Sequence, residues 1–364
     1  MNILFISGSF PFEKDGIGDS AECLYRKLAE KDRVVLLTTK KDSIISNITE
    51  KKYKNVHYID RWNISYKRLK KIENIIEKNN IDVIHIEYPG QAYGKHILIN
   101  ILPIVIRLKY KNIKLFMRYH EFTCSRLLRK IVDLPLIICM NKIFVASHID
   151  YKVLRKFFNN KIQKTFLGSS IDFNRRISSR ENDEFVLGYF GFVYKGKEIE
   201  RLLYIMKDLV EIDKKIKLKM LCSLDENDSY HLKIKNLIKL LNLDEYVTVT
   251  GYLSVNDLKR EFNKIDIATL FFSEGISLKR TSMLSFIFSG IPIITSLGDD
   301  ECNSIFDKEK NIFMSNDNLE IINYILELKN NYEKYNYRSD ETFKLKKYFD
   351  WNEIAGNIYK TYLE

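Results

Sequence analysis

The stretch IDVIHIEYPGQAYGKHILINILPIVIRLKYKNIKLFMRY, at residues 81–119, decides the predicted fold class. Its short apolar runs at 81–88 and 113–119 have the length and character of buried strands. The segment between them, near 92–108, has the length of a helix. A strand, a helix and a second strand in this order predict a βαβ unit with parallel strands.

The same alternation continues along the chain in two series. The first series is predicted to have further strands at 2–7, 33–39 and 142–147, and helices at 19–31, 64–79 and 125–131. A charged, polar stretch at 172–184 is predicted to be a linker. The second series has predicted strands at 185–192, 217–223, 247–250, 265–272 and 291–295, and helices at 197–211, 229–242, 254–264 and 277–289. The pattern therefore predicts an α/β fold with two Rossmann-like, doubly wound domains, at 1–175 and 183–345, facing each other across a cleft.

The composition is that of a globular protein. Hydrophobic residues make up 45% of the 364 residues, with only 14 Gly and 5 Pro, which excludes collagen-like and disordered chains. The five cysteines are odd in number and none are at CxxC spacing, which argues against a zinc site or a disulfide framework. No signal-peptide pattern opens the chain, and the longest apolar run, at 97–106, is too short to span a bilayer. We therefore expect a cytoplasmic protein.

The positive charge is concentrated in the first half of the chain. Residues 1–180 hold 34 basic and 17 acidic side chains, a net charge of +17. Since the whole chain has a net charge of +11, residues 181–364 have a net charge of −6. Because basic surfaces attract anionic headgroups, we expect the first domain to contact an anionic membrane surface. The alternative is that these residues are solvated helix faces. The candidate contacts are Lys67, Arg68, Lys70, Lys71, Arg107, Lys109, Arg126, Arg129 and Lys130.

A glycine-containing loop follows the first predicted strand. Gly16 and Gly18 immediately precede a helix, where backbone N–H groups can bind a phosphate. The alternative is a flexible loop in which Asp19 is the helix N-cap.

Two histidines lie on neighbouring predicted strands. His120 stands at the carboxyl end of its strand, the edge where ligands bind in open α/β sheets, and is a candidate functional residue. His85 lies in mid-strand and is expected to be a core residue with satisfied hydrogen bonds. Tyr88 and the loop that contains Tyr93 emerge at the same edge.

Cations and a carboxylate follow two strands of the second series. Lys195 and Lys197 come after the strand 185–192, where a lysine can contact a phosphate; the alternative is a solvated turn. The segment SEGISLKRTSM, at 273–283, places Glu274, a glycine and two cations at one strand end. The alternative there is Ser277 as a helix N-cap.

Taken together, these segments resemble the GT-B glycosyltransferases, specifically glycosyltransferase family 4. The match covers nearly the whole chain, and the order and spacing of its motifs are specific. The segments that carry it are MNILFISGSFPFEKDGIGD (1–19), DVIHIEYPG (82–90), RYHEF (118–122), FLGSSID (166–172), GYFGFVYKGKEIERLL (188–203), SEGISLKRTSMLSFIFSGIPIIT (273–295) and YFDWNEIAGNIYKTYL (348–363).

The resemblance implies a retaining, metal-independent transferase without a cofactor. The second domain would bind a nucleotide sugar, a UDP-sugar rather than a GDP-sugar, and the first a glycan or lipid-linked glycan of bacterial surface-polysaccharide synthesis. The closing helix, at 349–364, would return to the first domain. By this resemblance the catalytic residues are His120, Lys197, Glu274 and Arg280. The donor-binding residues are Gly16, Gly18, Gly191, Lys195, Gly251, Gly275, Ile276, Ser277, Leu278, Lys279 and Ser282. The acceptor-side residues are Asp19, Tyr88, Tyr93 and Glu121.

The chain departs from the family pattern at two places. The donor signature usually has a second Glu eight positions after the first, where this chain has Ser282. The family also usually has Arg after the glycine at 191, where this chain has Phe192, and Gly after Lys197, where it has Glu198. We therefore expect Arg280, with Lys279, to replace the missing diphosphate cation.

Three alternatives come from other functional classes. The two departures favour a binding or scaffold subunit of a glycosylation complex that has lost activity. The pI of 9.1 suggests nucleic-acid binding, but no helix-turn-helix, RRM or zinc pattern accompanies it, so we expect no nucleic-acid partner. A nicotinamide oxidoreductase would require fingerprint glycines that the chain lacks.

Overall fold

The computed structural model describes residues 1–10, 16–40, 43–169, 171–176, 184–278, 280–298 and 300–364. The chain divides into two compact units. The first comprises Met1–Ser170 and Asp350–Glu364, and the second comprises Ile171–Phe349.

Each unit contains one parallel sheet. The first sheet has the order β3-β2-β1-β4-β5-β6-β7, and the second has the order β10-β9-β8-β11-β12-β13. Starting from each unit's first strand, both follow the 3-2-1-4-5-6 order of doubly wound nucleotide-binding folds. The strands are β1 (Asn2–Ser7), β2 (Arg33–Thr39), β3 (Val56–Ile59), β4 (Val83–Tyr88), β5 (Lys114–Tyr119), β6 (Lys142–Val145), β7 (Ile162–Lys164), β8 (Phe185–Phe190), β9 (Ile216–Leu221), β10 (Val247–Val249), β11 (Ile267–Leu270), β12 (Ile293–Thr295) and β13 (Ile312–Met314).

Within each sheet, helices connect successive strands, as crossover connections between parallel strands require. In the first unit they are α1 (Gly16–Ala29), α2 (Ser43–Lys52), α3 (Tyr66–Lys78), α4 (Leu98–Lys109), α5 (Leu127–Cys139) and α6 (His148–Phe158). In the second unit they are α7 (Ile199–Ile212), α8 (Ser229–Leu240), α9 (Val255–Phe262), α10 (Thr281–Ser289), α11 (Asp300–Ile305), α12 (Asn318–Asn330), α13 (Tyr332–Lys344) and α14 (Lys346–Phe349). The last helix, α15 (Trp351–Leu363), belongs to the first unit.

The two faces of the first sheet are covered by different helices. One face packs against α3, α4, α5 and α6, and the other against α1 and α15. Helix α15 therefore returns to the first unit, as predicted. Gly168 allows this docking, because a Cβ there would lie 2.6 Å from the ring of Trp351, whose Nε1 donates a hydrogen bond to the carbonyl of Ser169.

Several predicted boundaries were wrong. The helix predicted at 277–289 begins at Thr281, so Ser277 does not cap it, whereas Gly290 ends it in the left-handed conformation suited to glycine. The linker predicted at 172–184 is partly packed, because Phe173 is buried and Arg176 forms an ion pair with Asp266 at 2.8 Å. Residues 177–183 of this segment lie outside the described residues. The pattern missed the strands β3, β7 and β13 and the helices α2, α6, α11, α12, α13 and α14.

Candidate functional site

Polar side chains cluster at the carboxyl ends of strands in each unit, and we describe the two clusters separately. In the first unit Glu87 is the centre. It lies directly opposite Arg118 in the β4–β5 register, and His120 follows β5 on the same face. Glu87 Oε2 accepts hydrogen bonds from Arg118 Nε and His120 Nε2, each at 2.9 Å, and Oε1 accepts one from His85 Nε2 at 2.9 Å.

The chemistry of these groups fixes the positions of their protons. An ionised carboxylate only accepts hydrogen bonds, so His85 and His120 both carry a proton on Nε2. Burial lowers the pKa of His85 despite its bond to Glu87, so His85 is neutral and its Nδ1 is an acceptor. The Tyr362 hydroxyl of α15 donates to that Nδ1 at 2.6 Å. His120 is thereby oriented by Glu87, and its Nδ1 is the ring nitrogen that Glu87 does not engage.

Glu87 and Arg118 are both fully buried, which makes their pairing essential. Burial raises the pKa of Glu87, but the charge of Arg118 and the hydrogen bonds from both histidines outweigh it and hold that pKa well below its ordinary value. The Arg118 guanidinium also lies 5.4 Å from the ring centroid of Trp351. Its two Nη atoms find no hydrogen-bond partner in the described part of the chain.

Two predicted acceptor-side residues lie inside the first unit. Tyr88 and Tyr93 are buried, and their hydroxyls donate to Asp133 Oδ1 at 2.6 Å and to the carbonyl of Glu87 at 2.7 Å. Both hydroxyls are therefore engaged inside the unit, and their contact with an acceptor stays a prediction. Glu121, by contrast, is half-buried beside His120.

The glycine loop of the first unit is described in part. Helix α1 begins at Gly16, so Asp19 lies in its first turn and is not its N-cap. Gly18 is buried, and a Cβ there would lie 3.2 Å from Ser9 Oγ. Residues 11–15 lie outside the described residues.

In the second unit, two cations approach the ring of Phe272. Lys197 Nζ lies 4.4 Å and Arg280 Cζ 4.7 Å from the ring centroid. Arg280 Nη1 donates to the Tyr194 hydroxyl at 3.2 Å, and Nη2 lies 3.7 Å from Glu274 Oε2. The structure therefore brings Lys197 and Arg280 together at one aromatic ring, with Glu274 beside Arg280.

Lys197 is an unusually buried lysine. Only 7% of it is exposed, and no carboxylate pairs with it among the residues that the structure describes. Burial, and then the neighbouring charge of Arg280, lower its pKa to about 8. Burying an unpaired ammonium is costly, so the site favours an anion that would pair with it.

Gly275 gives the loop after β11 a conformation that other residues could not adopt. Its φ is 77°, and a Cβ there would lie 2.3 Å from the carbonyl oxygen of Leu297. This turn holds Glu274 at the surface, with its side chain 86% exposed. The carboxylate is thus available to groups from solution.

The remaining predicted donor residues have different surroundings. Gly191 has a φ of 132° and lies against the first turn of α10, because a Cβ added at Gly191 would be 3.4 Å from the Cβ of Ser282. Ile276 and Leu278 are buried, Ser277 is half-buried, and Lys195 is exposed. Gly251 has a positive φ and open space around it. Lys279 lies outside the described residues.

A cavity of about 810 Å³ opens beside the Glu274–Gly275 turn. Arg201 forms one wall: it pairs with Glu198 at 3.4 Å and donates to Asn318 Oδ1 at 2.8 Å. The other lining residues are Phe272, Ser273, Leu297, Gly298, Asn316 and Asp317.

Glu87, Arg118, Phe272 and Arg201 were not singled out from the sequence. A signal existed for Glu87 and Arg118, since each is a charged residue at an inward position of an otherwise apolar strand. Arg201 gives no such signal, because a basic residue in the first turn of a helix usually faces solvent. Among the described residues no cluster of His, Cys, Asp and Glu could hold a metal ion.

The fold matches solved glycosyltransferases over the full chain. HepE from Anabaena, solved in complex with UDP, is 14% identical, with 99% of each chain covered and a TM-score of 0.77. Sucrose-phosphate synthase from Thermosynechococcus elongatus is 15% identical, with 100% of this chain and 98% of that chain covered and a TM-score of 0.70. A glycosyltransferase from Rickettsia africae is 14% identical, with 99% of this chain and 97% of that chain covered and a TM-score of 0.74.

No protein-family model matches the sequence, and no curated protein matches it. The structural likeness shows that this chain has the GT-B fold, with two Rossmann-like domains and a C-terminal helix on the first of them.

Proposed function

We propose that this chain is a nucleotide-sugar glycosyltransferase of family 4 type, retaining and independent of metal or cofactor. The observation that carries the proposal is the buried Lys197, unpaired with any described carboxylate and next to Arg280 on the ring of Phe272. Two cations held this close repel one another, and a diphosphate between them would stabilise both. HepE, which shares the fold, binds UDP in its solved complex.

The residues of the second unit suit departure of a nucleoside diphosphate. Lys197 and Arg280 would stabilise the negative charge that develops on the leaving diphosphate as the glycosidic bond breaks. The exposed carboxylate of Glu274 would accept hydrogen bonds from sugar hydroxyls. His120, oriented by Glu87, would contact the transferred sugar, and its Nδ1 can accept a hydroxyl proton in a hydrogen bond. We expect a UDP-sugar rather than a GDP-sugar as the donor.

The acceptor would be a glycan or lipid-linked glycan in the synthesis of a bacterial surface polysaccharide. The +17 charge of residues 1–180 supports a peripheral position at the inner face of the plasma membrane. In the described chain we find no helix suited by length and hydropathy to crossing a membrane.

Calorimetric titration of UDP, GDP and their sugars tests the donor assignment. We expect a UDP-sugar to bind, and Lys197→Met to weaken binding at least ~10-fold, as loss of a charge-assisted contact requires. Lys239→Met is the matched control, because Lys239 is an exposed lysine of α8 in the same unit and outside the predicted site. Binding that survives Lys197→Met would contradict the site.

A scaffold subunit without activity remains a second candidate, favoured by Ser282 in place of the signature Glu and by Phe192, which is 79% exposed. Single-turnover donor hydrolysis separates the two functions. Nucleotide binding without any release of sugar, in the presence of acceptor extracts, would support the scaffold.

A further inference from the structure

Helix α5 exposes a continuous apolar face. The large side chains on this face are Leu127 (73% exposed), Leu128 (78%), Ile131 (54%), Leu134 (39%) and Ile138 (56%). Their spacing of three and four residues places them on one side of the helix. We call these five residues the α5 apolar face.

The opposite side of α5 is already used by the core. Leu136 and Ile137 are fully buried against the sheet, and Asp133 points inward to hydrogen-bond Tyr119 and Asn100. The helix is therefore apolar on both sides. A surface helix whose polar side is replaced by Leu and Ile indicates contact with another apolar phase.

Charge around this face is almost all positive. The segment 89–142 contains ten basic residues but only two acidic ones, Glu121 and Asp133, and Asp133 is buried. Arg126 precedes the α5 apolar face and is exposed. Helix α4 packs against α5, exposes Leu108 (77%) and carries no acidic residue.

Some basic residues expected at a membrane are engaged inside the unit. Arg107 Nε donates to the carbonyl of Cys139 at 2.9 Å, and Arg129 contacts Tyr88 and the carbonyl of Gly90. Lys109 pairs with Glu73 at 2.5 Å. Charge alone therefore does not define a membrane surface here, and the apolar side chains of α5 are the more specific feature.

We propose that the α5 apolar face inserts into the headgroup and acyl boundary of an anionic membrane, with Arg126 contacting lipid phosphates. The helix has 13 residues, which is too short to span a bilayer and suits a position in the plane of the interface. The inference rests on the proposed peripheral membrane position and names the surface responsible for it, but it does not depend on the transferase activity.

A second copy of the chain fits this face less well than a membrane. A two-fold interface would bring the same patch of both copies together, and with it their basic residues. The described part of the segment offers no exposed carboxylate on α4 or α5 to neutralise them. An anionic bilayer supplies both the apolar phase and the opposite charge.

Co-sedimentation of the full-length chain with phosphatidylglycerol-containing vesicles tests the proposal. The test variant is Leu128→Asp with Ile131→Asp. The matched control is Leu240→Asp with Leu319→Asp, which changes two leucines of the second unit that are 76% and 70% exposed. We expect the test variant to lose on the order of 10-fold or more in partitioning, since apolar insertion is replaced by like-charge repulsion, and the control to stay near wild type.

Two further measurements distinguish insertion from adsorption by charge alone. Leu128→Trp should show a blue-shifted emission on addition of vesicles, and binding should persist in part at about 0.5 M salt, which screens charge but not apolar contact. Nucleotide binding by calorimetry should be unchanged in every variant, so its loss would indicate misfolding instead. The proposal would be overturned if the wild type did not bind vesicles, or if both double variants lost the same amount of binding. It would also be overturned if the wild type were a dimer that did not bind lipid and that the test variant converted to a monomer.

Discussion

Glu87 on β4 and His120 beyond β5 are joined by a 2.9 Å hydrogen bond, so the orientation of His120, the candidate contact to the transferred sugar, depends on a fully buried carboxylate. The same oxygen of Glu87 accepts from Arg118. Structural and functional roles therefore meet in a single side chain.

Replacing Glu87 by Gln should reveal both roles. The variant leaves the Arg118 charge buried without its counter-ion, so we expect a loss of about 3–5 kcal/mol in the free energy of unfolding. We also expect kcat to fall more than KM rises, because His120 loses its orientation while the donor cations remain. Tyr362→Phe, which removes only the outer hydrogen bond to His85, should cost about 1 kcal/mol.

The stabilisation by Glu87 should also depend on pH in a defined direction. Its pKa is depressed in the folded state, so its contribution is present above the ordinary carboxyl range, about 4.3, and is lost as the pH falls through the lowered value. Urea unfolding of wild type and Glu87→Gln between about pH 7 and pH 3 measures this. If the difference in unfolding free energy between the two proteins did not decrease on acidification, an ionised Glu87 would be contradicted.

Lys197→Met should raise the stability of the folded protein while weakening donor binding. The folded pKa of about 8 lies below the usual lysine value of 10.5, so the buried charge costs up to about 3 kcal/mol at neutral pH. Wild-type stability should therefore rise as the pH increases from 8 towards 10, and Lys197→Met should lack that rise. Thermal unfolding of both proteins across this pH range measures the difference in stability. If Lys197→Met were less stable than the wild type at pH 7, the lysine would have a stabilising partner in the folded protein.

Arg280→Ala should lower kcat/KM by ~10–1000-fold, the range expected when a charge-assisted diphosphate contact of about 1.5–4 kcal/mol is lost. Arg260→Ala is the control, because Arg260 is an exposed residue of α9 in the same unit. Steady-state kinetics on both variants are sufficient. Unchanged kinetics for Arg280→Ala would show that it does not replace the cation missing at Phe192.

Two glycines with nearly the same φ provide a matched pair. Gly275 has a φ of 77°, and a Cβ added there would lie 2.3 Å from the carbonyl oxygen of Leu297. Gly251 has a φ of 75°, and a Cβ added there would have no atom within 4 Å. Alanine at either position costs about 1–2 kcal/mol for the left-handed backbone. Gly275→Ala should be more destabilising still and should displace Glu274. Equal unfolding free energies for the two variants would refute the close approach.

Apolar periodicity alone identified the parallel sheets, because strands buried on both faces must be continuously apolar and must be connected by helices. It also placed the Glu274 segment at a strand end. The helix that begins at Thr281 was predicted four residues too early, since Ser277 is compatible with a helix N-terminus. Ile276 instead pairs with the loop after β12, donating its N–H to the Leu297 carbonyl at 3.3 Å and bridging to Gly298. Tyr88 and Tyr93 were placed at the ligand-binding edge because they stand at or beyond a strand end, a position that does not reveal that both side chains are buried.

Local sequence thus determined most of the strands and helices and which residues stand at strand ends, because these properties depend mainly on neighbours a few positions away. Tertiary structure alone decided that Glu87, His85, Arg118 and Tyr362 form one network, since they come from two strands and a helix 277 residues from His85 along the chain. It also decided that Lys197 is buried and that the α5 apolar face is exposed. Burial is a property of what packs against a residue, and no pattern within a single element specifies it.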